Sequence, residues 1–466
     1  MTKISLSPVT RISGLLSIDL FLNLTGTIEE ANCIGEQFRG FETMLKGRRV
    51  TDAVYFTERI CGICSMAHGY IAARLVGKIY GLKLTPEIER LQQAMLGAEF
   101  LQNHIRHFYL LALPDYLDSE TPAQSIIAFS REPSGTSRFS KAQQENLIEH
   151  YFASMEVSRK CHEMLAVFGG KIPHQHGLVA EGVTVSVTSD RRIQFLSLLG
   201  QVQQFIDQIM LPDCRLLAET YRDYFEIGSR PARYLSFGLF NPKLGGHFPA
   251  GIDNEGELLP VMIEKIHESI RLAWYLQTDQ QIQPDPYKPG AYTWVKAPRY
   301  HGMALEGGPL ARKVIKDYIY PGNKNGVMAR LLARAEEAAL IAGWMRDWIN
   351  KLPDGGDLIV PIEAPLLTKA IEIHDAPRGP LLHAVTMEDN HITGYDIITP
   401  TTWNFSPKDD AGWRGPAEEA LVGTLVEPDY TAAPGRIIRS FDPCLTCGAH
   451  VIDKSGKSQR KITVNI

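Results

Sequence analysis

Alternating apolar and polar residues mark the start of the chain. Leucine or isoleucine occupies every second position from Leu16 to Leu24, which is the spacing of a strand with one buried face. Thr25-Gly26 then reverses the chain toward a second strand-like segment over residues 28–34. The two segments predict a β-hairpin near the N-terminus.

Helical spacing dominates the middle of the chain. Apolar residues recur every three or four positions in the segments 86–112, 141–168, 189–226, 256–278 and 326–352. Residues 280–310 are rich in proline and glycine and predict irregular structure, while strand-like alternation returns over 381–398. The pattern predicts a mainly helical α+β fold with N-terminal strands. The chain is long enough for several subdomains packed into one body, so we expect one domain over residues 1–466. It contains no internal repeat or low-complexity tract.

Composition narrows the partners and the location. A net charge of −5 gives no reason to expect a nucleic acid or an anionic membrane as partner. The N-terminus lacks the pattern of a signal peptide, and no apolar run reaches the roughly 18 residues of a membrane span. These features predict a chain without a direct membrane span, located in the cytoplasm unless a partner subunit exports it or attaches it to a membrane.

The most informative residues are two cysteine pairs with the same spacing. Cys61 and Cys64 lie near the N-terminus, and Cys444 and Cys447 lie near the C-terminus. The residues after Cys64 have helical spacing, so the first pair is expected at a helix N-terminus, where free N–H groups favour the thiolate. Two such pairs can together form one four-sulfur metal site.

Several kinds of site use cysteine pairs. Four thiolates usually hold structural zinc or an iron–sulfur centre, and a single pair can be a redox dithiol. On spacing alone, a zinc site accounts for roughly half of the probability. Zinc modules, however, place their pairs about 15 to 20 residues apart, whereas most of this chain separates the two pairs. The separation favours a metal site at the centre of a large fold, where the N- and C-terminal segments meet.

The remaining cysteines do not extend this site. Cys33, Cys161 and Cys214 are isolated from one another in the sequence, and isolated cysteines are most often small buried apolar residues. They predict no iron–sulfur cluster within this chain. Electrons released at a buried metal would therefore need a cluster-bearing partner.

Both cysteine motifs resemble those of a known family. Residues 59–68 (RICGICSMAH) and 442–450 (DPCLTCGAH) are similar to the two signatures of the large, catalytic subunit of nickel–iron hydrogenases. Four further landmarks match in the family's order: FRGFE at 38–42, GGKIPH at 169–174, APRG at 376–379 and PTTWN at 400–404. Six motifs in order make the resemblance specific. It implies a central helical bundle, with the metal site where the two ends of the chain converge.

The resemblance implies a nickel–iron centre held by the four cysteines. Cys61 and Cys444 would be terminal ligands of nickel. Cys64 and Cys447 would bridge nickel to an iron that carries cyanide and carbon monoxide. Sulfur donors suit a soft metal, and a terminal thiolate can accept a proton. The implied reaction is the reversible heterolytic cleavage of dihydrogen.

Four further residues match the surroundings of these metals in the family. Arg378 would reach over the metals and contact a cyanide, and Thr401 would hydrogen-bond the other cyanide. Asp442 and Asp115 match acids that hold this arginine in place. Outside these motifs, Arg378 would be interpreted as a salt-bridged surface arginine, Asp442 as a turn residue before proline and Thr401 as the start of a strand.

A second metal ion is also implied by the resemblance. Glu42 and His450 resemble ligands of magnesium or a similar hard cation beside the active site. A carboxylate suits such a cation, whereas an imidazole is less typical. His68 and His174 match family histidines near the metals and on the side that faces the partner's cluster. Either histidine alone would more often be a hydrogen-bonded core residue.

The chain departs from the family at two positions. The family's N-terminal motif usually reads Arg-Ile-Glu-Gly-His, and its glutamate is the customary first proton relay; residues 11–15 are Arg-Ile-Ser-Gly-Leu. Ser13 has no ionisable state near neutral pH, so we predict an altered proton route with Ser13 at its entrance, or an exit through Glu36 or Glu42. Asp375 replaces a glutamate before Ala376, with little consequence expected for the reaction.

The resemblance further implies partners and processing. Large subunits pair with an iron–sulfur small subunit, sometimes with more electron-transfer subunits. Nickel-insertion proteins and an endopeptidase mature them, and the endopeptidase removes an extension after the final histidine. Residues 451–466 follow His450 and are predicted to be this extension; the alternative is a simple terminal strand.

Three functions stay open at this point. The first is a catalytic nickel–iron hydrogenase subunit. The second is the related large subunit of respiratory complex I, which shares the fold but lacks the paired cysteines. The third is a zinc-stabilised binding protein, which would contain zinc and no nickel.

Overall fold

The computed structural model describes residues 2–118, 137–278, 282–317, 324–355, 358–426 and 432–448. Its α-helices are α1 Phe41–Leu45, α2 Ala53–Glu58, α3 Ser65–Ile79, α4 Pro86–Arg106, α5 Lys141–Gly169, α6 Ser189–Phe205, α7 Leu211–Thr220, α8 Pro309–Asp317, α9 Val327–Asn350, α10 Pro400–Asn404, α11 Pro416–Leu421, α12 Ala432–Ser440 and α13 Leu445–Gly448. No helix among the described residues is both long enough and apolar enough to cross a membrane.

The β-strands are mostly short. They are β1 Thr2–Leu6, β2 Leu16–Leu22, β3 Ile28–Gly35, β4 Leu178–Val179, β5 Gly182–Val183, β6 Arg233–Leu239, β7 Phe248–Asn254, β8 Glu257–Leu259, β9 Ile266–Ser269, β10 Tyr275–Gln277, β11 Ile282–Pro284, β12 Ala297–Tyr300, β13 Glu306–Gly307, β14 Lys369–Ala376, β15 Gly379–Glu388 and β16 His391–Ile398. The larger sheets have the orders β1-β2-β3, β13-β6-β7-β8 and β14-β15-β16.

Helices α4, α5, α6 and α9 form the central bundle. Helix α4 packs against both α5 and α9, and α5 packs against α6. The start of α4 is fixed by Thr85, whose side chain accepts the N–H of Ile88, and by Pro86 in the first turn. Helix α5 begins with a capping box between Ser140 and Gln143. The predicted helices over 86–112, 141–168, 189–226 and 326–352 are therefore confirmed.

The predicted helix over residues 256–278 is wrong. This segment contains β8, β9 and β10, and Gly256 adopts a φ of 96° in the turn between β7 and β8. Leu259, Val261 and Ile263 pack on a small apolar cluster away from the bundle. Their alternate positions fit a strand-like period of two, which a short apolar run does not distinguish from helical spacing.

The N- and C-terminal segments meet, as predicted. In β2, Leu16, Ile18 and Leu20 are fully buried, and the predicted hairpin with β3 is confirmed. Ser13, just before β2, forms a parallel bridge with Cys444. This contact brings the C-terminal cysteine loop to the N-terminal sheet and confirms a mainly helical α+β fold whose two ends converge.

Candidate metal centre

Cys61 and Cys64 lie in the loop between α2 and α3, and both residues are buried. The backbone N–H of Ile63 donates a hydrogen bond to Sγ of Cys61 at 3.3 Å. Gly62, between the cysteines, is exposed, and apart from its chain neighbours no atom of the described part of the chain lies within 4 Å of where a Cβ would be. The loop therefore holds its sulfurs directly beneath the protein surface.

The N-terminus of α3 is capped by a carboxyl group from α4. The N–H groups of Met66 and Ala67 donate to the two oxygens of Glu99, at 2.7 and 2.8 Å. The helical N–H groups that were expected to favour the Cys64 thiolate are thus engaged by Glu99. Burial raises the pKa of Glu99 to about 8, although these two hydrogen bonds and Arg378 act in the opposite direction.

Cys444 is positioned by backbone contacts from distant parts of the chain. Asp442 has a left-handed φ of 57°, which turns the chain after α12. The N–H of Ser13 donates to the carbonyl of Pro443 at 3.2 Å, and the N–H of Leu445 donates to the carbonyl of Ser13 at 2.7 Å. The N–H of Cys444 donates to Oγ1 of Thr401 in α10 at 3.0 Å.

Three cysteine sulfurs converge at this junction. The ligand atoms of Cys61, Cys64 and Cys444 all lie within 4.8 Å of one another, and Sγ of Cys61 is 3.3 Å from Sγ of Cys444. Among the described residues, this is the one group of three or more cysteine, histidine or acidic side chains close enough to share a metal ion. Cys447 follows in α13, where the backbone is described, and His450 lies outside the described residues.

Arg378 projects from the tight connection between β14 and β15 and lines a small cavity beside the sulfurs. Cys64, His68, Thr401 and Cys444 line the same cavity. Burial disfavours the charged guanidinium, but Asp442 and the cysteine sulfurs outweigh it and hold the pKa of Arg378 well above its usual range. The arrangement fits an anionic sulfur cluster below a permanent cation.

Asp442 and Asn103 hold Arg378. Nη2 of Arg378 lies 3.1 Å from Oδ1 of Asp442, Nε donates to the carbonyl of Asp442 at 3.0 Å, and Nη1 donates to Oδ1 of Asn103 at 2.9 Å. Asn103 lies in α4 and was missed in the sequence. The available signal was a run of three polar residues, 102–104, between the apolar residues Leu101 and Ile105.

Asp115 has a different position from the one predicted. Its carboxylate pairs with Arg11 and with Nη1 of Arg439 at 2.7 Å, and its carbonyl accepts from Arg436. Burial would raise the pKa of this carboxyl, but Arg11 and Arg439 outweigh burial and lower it. Asp115 therefore joins the N-terminal segment to α12, and Asn103 has the contact to Arg378 that was assigned to Asp115.

Asp375 takes part in a buried ion-pair network behind the site. Its Oδ2 lies 2.9 Å from Nη1 of Arg312, and its Oδ1 accepts the N–H of Phe237 at 2.8 Å. Arg312 also pairs with Glu337. The shorter side chain of Asp375 is thus fully engaged, in agreement with a structural role.

The two histidines of the matched motifs differ in position. His68 lies beside the cavity, where its Nδ1 is 3.3 Å from Nε2 of His383, and burial lowers its pKa to about 4. His174 is half-buried at the end of the GGKIPH motif, and its backbone N–H donates a hydrogen bond to Oγ of Ser65 at 3.2 Å. His68 is therefore a neutral residue near neutral pH.

Glu42, the expected ligand of a hard cation, lies beside β16, the edge strand of the β14-β15-β16 sheet. Its Oε1 accepts the N–H of Ile397 at 3.0 Å and lies 4.0 Å from Nζ of Lys296. Burial raises the pKa of Glu42 to about 7 despite Lys296. Glu42 offers one hard oxygen, and its proposed companion His450 is not among the described residues.

Comparison with known proteins agrees with this geometry. A profile of the family described as nickel-dependent hydrogenase matches residues 39–147 and 128–450. The chain belongs to this family. As the large subunit of a nickel-dependent hydrogenase, it is part of an oxidoreductase that acts on dihydrogen and pairs with a small subunit. This membership decides among the three functions in favour of the first.

Individual relatives extend the match over the whole hydrogenase chain. The periplasmic NiFeSe hydrogenase large subunit of Desulfomicrobium baculatum is 32% identical over 99% of this chain and 98% of that protein. The hydrogenase-1 large chain of Escherichia coli (strain K12) is 27% identical over 99% of this chain and 97% of that protein. The solved Ni-Fe-Se hydrogenase from D. vulgaris Hildenborough in the reduced state has a TM-score of 0.90 and 33% identity, over 96% of this chain and 100% of that chain.

The expected cytoplasmic location is wrong. The D. baculatum relative, which aligns over nearly the whole hydrogenase chain, is named a periplasmic protein. The expectation was based on a missing signal-peptide pattern in this chain. That pattern does not determine the location of a large subunit when a partner carries the export signal.

The side chains at the centre suit the family's metals. Thiolates are soft donors of the kind that nickel binds, and the three described sulfurs are close enough to share a metal ion. Oγ1 of Thr401 accepts the N–H of Cys444, so its own proton is available for an acceptor in the cavity. Arg378 and Thr401 thus offer hydrogen-bond donors to anionic ligands in the cavity that Cys64 and Cys444 also line. This cavity is too small for a substrate much larger than a diatomic molecule.

Proposed function

We propose that Cys61, Cys64, Cys444 and Cys447 hold a nickel–iron group, with Cys61 and Cys444 as terminal ligands and Cys64 and Cys447 as bridging ones. When bound, this group supplies the site at which dihydrogen is cleaved heterolytically and reversibly. The observation that carries the proposal is the convergence of three buried sulfurs from both ends of the chain within 4.8 Å.

Arg378 and Thr401 would orient the diatomic ligands of iron. The Arg378 guanidinium is anchored at three points, by Asn103 and by the side chain and carbonyl of Asp442. Such a fixed cation can stabilise cyanide without reorganisation. Thr401 is fixed through the N–H of Cys444 and would donate its proton to the second cyanide.

Protons would leave from a terminal thiolate toward Ser13. Oγ of Ser13 lies near the C-terminal cysteine loop, 3.1 Å from Oγ1 of Thr446, which supports a route that begins at this serine. If Ser13 is the entrance, Ser13→Ala should slow dihydrogen turnover and change its solvent isotope effect. Unchanged values for both would contradict this route and favour an exit through Glu36 or Glu42.

Electrons would pass to an iron–sulfur small subunit and from there to further electron-transfer subunits. The exposed Gly62 lies between the two cysteines of the first pair, and among the described residues only its chain neighbours have atoms within 4 Å of its Cβ position. A partner's cluster could therefore approach the sulfurs closely at this surface. A bulky substitution such as Gly62→Trp should lower electron transfer to an artificial acceptor through the complex, while dihydrogen–deuterium exchange at the metals continues.

The family resemblance suggests how the chain matures, and the name of one relative suggests where it acts. We propose that Glu42 and His450 bind magnesium, that nickel-insertion proteins load the site, and that an endopeptidase then removes residues 451–466. An intact mass of the active subunit that still included Ile466 would contradict the cleavage. By analogy with the periplasmic D. baculatum relative, we propose that the mature complex is exported with its partner and acts in the periplasm. Recovery of activity in the cytoplasmic fraction alone would contradict this.

The proposed function is tested by metal analysis of the complex purified with its small subunit. We expect nickel and iron in the large subunit and infrared bands of cyanide and carbon monoxide. Cys61→Ala should abolish nickel and the bands, whereas Cys161→Ala, which removes an equally buried cysteine from α5, should retain both. Zinc in place of nickel in the wild-type chain would contradict the proposal.

A further inference from the structure

The hydroxyl of Thr446 lies between the two sulfurs proposed as terminal nickel ligands. Its Oγ1 is 3.3 Å from Sγ of Cys444 and 3.9 Å from Sγ of Cys61. A metal-bound thiolate can only accept a hydrogen bond, and a threonine hydroxyl has one proton. Thr446 is therefore the donor, with its proton directed between the two sulfurs.

Ser13 supplies a hydrogen bond to this hydroxyl. Its Oγ is 3.1 Å from Oγ1 of Thr446. Because the Thr446 proton points to sulfur, Ser13 donates and Thr446 accepts at this contact. A hydroxyl that accepts one hydrogen bond becomes a stronger donor in the next. In the thiolate state both hydroxyl protons thus point toward the sulfurs, and both hydroxyls must rotate before a proton can leave a terminal thiol toward Ser13.

The backbone fixes Thr446 in this position. Its carbonyl accepts from Nη1 of Arg39 at 3.2 Å, and the same guanidinium donates to the carbonyls of Ile60 and Arg59 just before the first cysteine pair. Gly14 has a φ of +90°, and a Cβ there would lie 2.6 Å from the backbone N of Thr446. One arginine therefore links both cysteine loops, and a glycine lets the N-terminal segment approach.

On the basis of the proposed nickel–iron function, we propose that Thr446 is a positioning residue that hydrogen-bonds both terminal thiolates, and that Ser13 orients it. A hydrogen bond to a metal-bound sulfur withdraws electron density and favours the more reduced metal. Thr446 thereby raises the redox potential of the centre, and Ser13 strengthens this effect through the shared hydroxyl.

The test is an infrared redox titration of the wild-type heteromeric complex and three variants. Thr446→Val removes the hydroxyl at nearly constant shape and should shift the midpoint potentials to lower values and the carbon monoxide band to lower frequency. Thr446→Ser restores the hydroxyl and should return both to the wild-type values. Ser13→Ala should shift both in the same direction as Thr446→Val, by a smaller amount.

Matched controls separate this role from simple packing. Thr386→Val removes a hydroxyl from an exposed position in β15 and should change neither potential nor band. If Thr446→Val has the same midpoint potentials and carbon monoxide frequency as the wild type, the inference is overturned. The proposed function would still stand in that case, provided that both proteins contain nickel and show the infrared bands. If Thr446→Val fails to bind nickel, Ser13→Ala decides: a shift supports the inference, and wild-type values overturn it. A wild-type complex without nickel would contradict the proposed function itself.

Discussion

Asp442 and Arg378 form an ion pair in which Oδ1 of the aspartate lies 3.1 Å from Nη2 of the arginine, and both residues are almost completely buried. Asp442 also lies 3.3 Å from Nη1 of Arg334 in α9. One carboxylate thus faces two guanidinium groups that burial would otherwise penalise. A buried cation that loses its partner is strongly destabilising, more so than an exposed one.

Replacing Asp442 by asparagine should remove this compensation while retaining its shape. We expect Asp442→Asn to lower the free energy of unfolding by about 3 kcal/mol. Because Arg378 would also lose its orientation over the sulfurs, dihydrogen turnover should fall by about 10²-fold. Chemical denaturation and the infrared bands of the assembled enzyme measure the two effects. Wild-type bands in the variant would mean that Asp442 does not position Arg378.

Asp115→Asn provides a contrast at another buried carboxylate. Asp115 pairs with Arg11 and Arg439, so its loss should also destabilise the chain, by about 3 kcal/mol. Its lowered pKa means that Asp115 contributes stability above its unfolded pKa, and this contribution is lost as the pH falls through the folded value. The infrared bands should be unchanged. A band shift as large as that of Asp442→Asn would restore the predicted role of Asp115 at Arg378.

The fold was predictable where local signals agreed. Helices α4 and α5 combine long apolar periodicity with caps at Thr85 and Ser140, so pattern and terminus point to the same structure. Residues 256–278 lack this agreement, since their short apolar runs fit either period and their turn at Gly256 fits a hairpin. Whether such a segment becomes a helix or a strand is decided by the surface against which it packs.

The site was predictable only as far as its motifs extend. The cysteines, Arg378 and Asp442 all lie in motifs. Asn103 and Arg334 belong to α4 and α9, far from any motif, and look like ordinary polar helix residues in the sequence. Only the packing of the bundle brings them to Arg378 and Asp442. Residues that orient a motif side chain from another helix can therefore be identified only from the structure.

The close contact between α4 and α9 makes a prediction at Gly97. A Cβ there would lie 2.6 Å from Sδ of Met345 in α9, so Gly97→Ala should force this side chain to move and lower the free energy of unfolding by about 2 kcal/mol. Gly343→Ala in α9 is the matched control. Apart from the neighbouring residues and backbone of α9, no atom of the described residues lies within 4 Å of its Cβ position, and alanine should stabilise the helix by up to about 1 kcal/mol. Urea unfolding of both variants measures the difference; a stabilised Gly97→Ala would contradict the packing.

Glu99 should make the stability of the chain depend on pH. Its pKa is about 8 in the folded chain, raised by burial, and lies near 4.5, the ordinary value of a glutamate, in the unfolded chain. Between these values the unfolded state has released the proton and the folded state has kept it. Stability is therefore highest below the unfolded pKa and falls as the pH rises toward the folded one, by up to about 1.4 kcal/mol per pH unit.

Glu99→Gln removes this titration but retains one acceptor for the N–H groups of Met66 and Ala67. At roughly pH 5 the variant should be less stable than the wild type, because one of the two hydrogen bonds is lost. The difference should shrink or reverse toward about pH 8, because only the wild type loses stability over this range. Urea unfolding at several pH values measures the difference, and Glu145→Gln on the exposed side of α5 controls for the removal of a charge. A difference between wild type and Glu99→Gln that stays constant with pH would show that Glu99 is ionised in the folded chain, with its charge compensated by the N-terminus of α3.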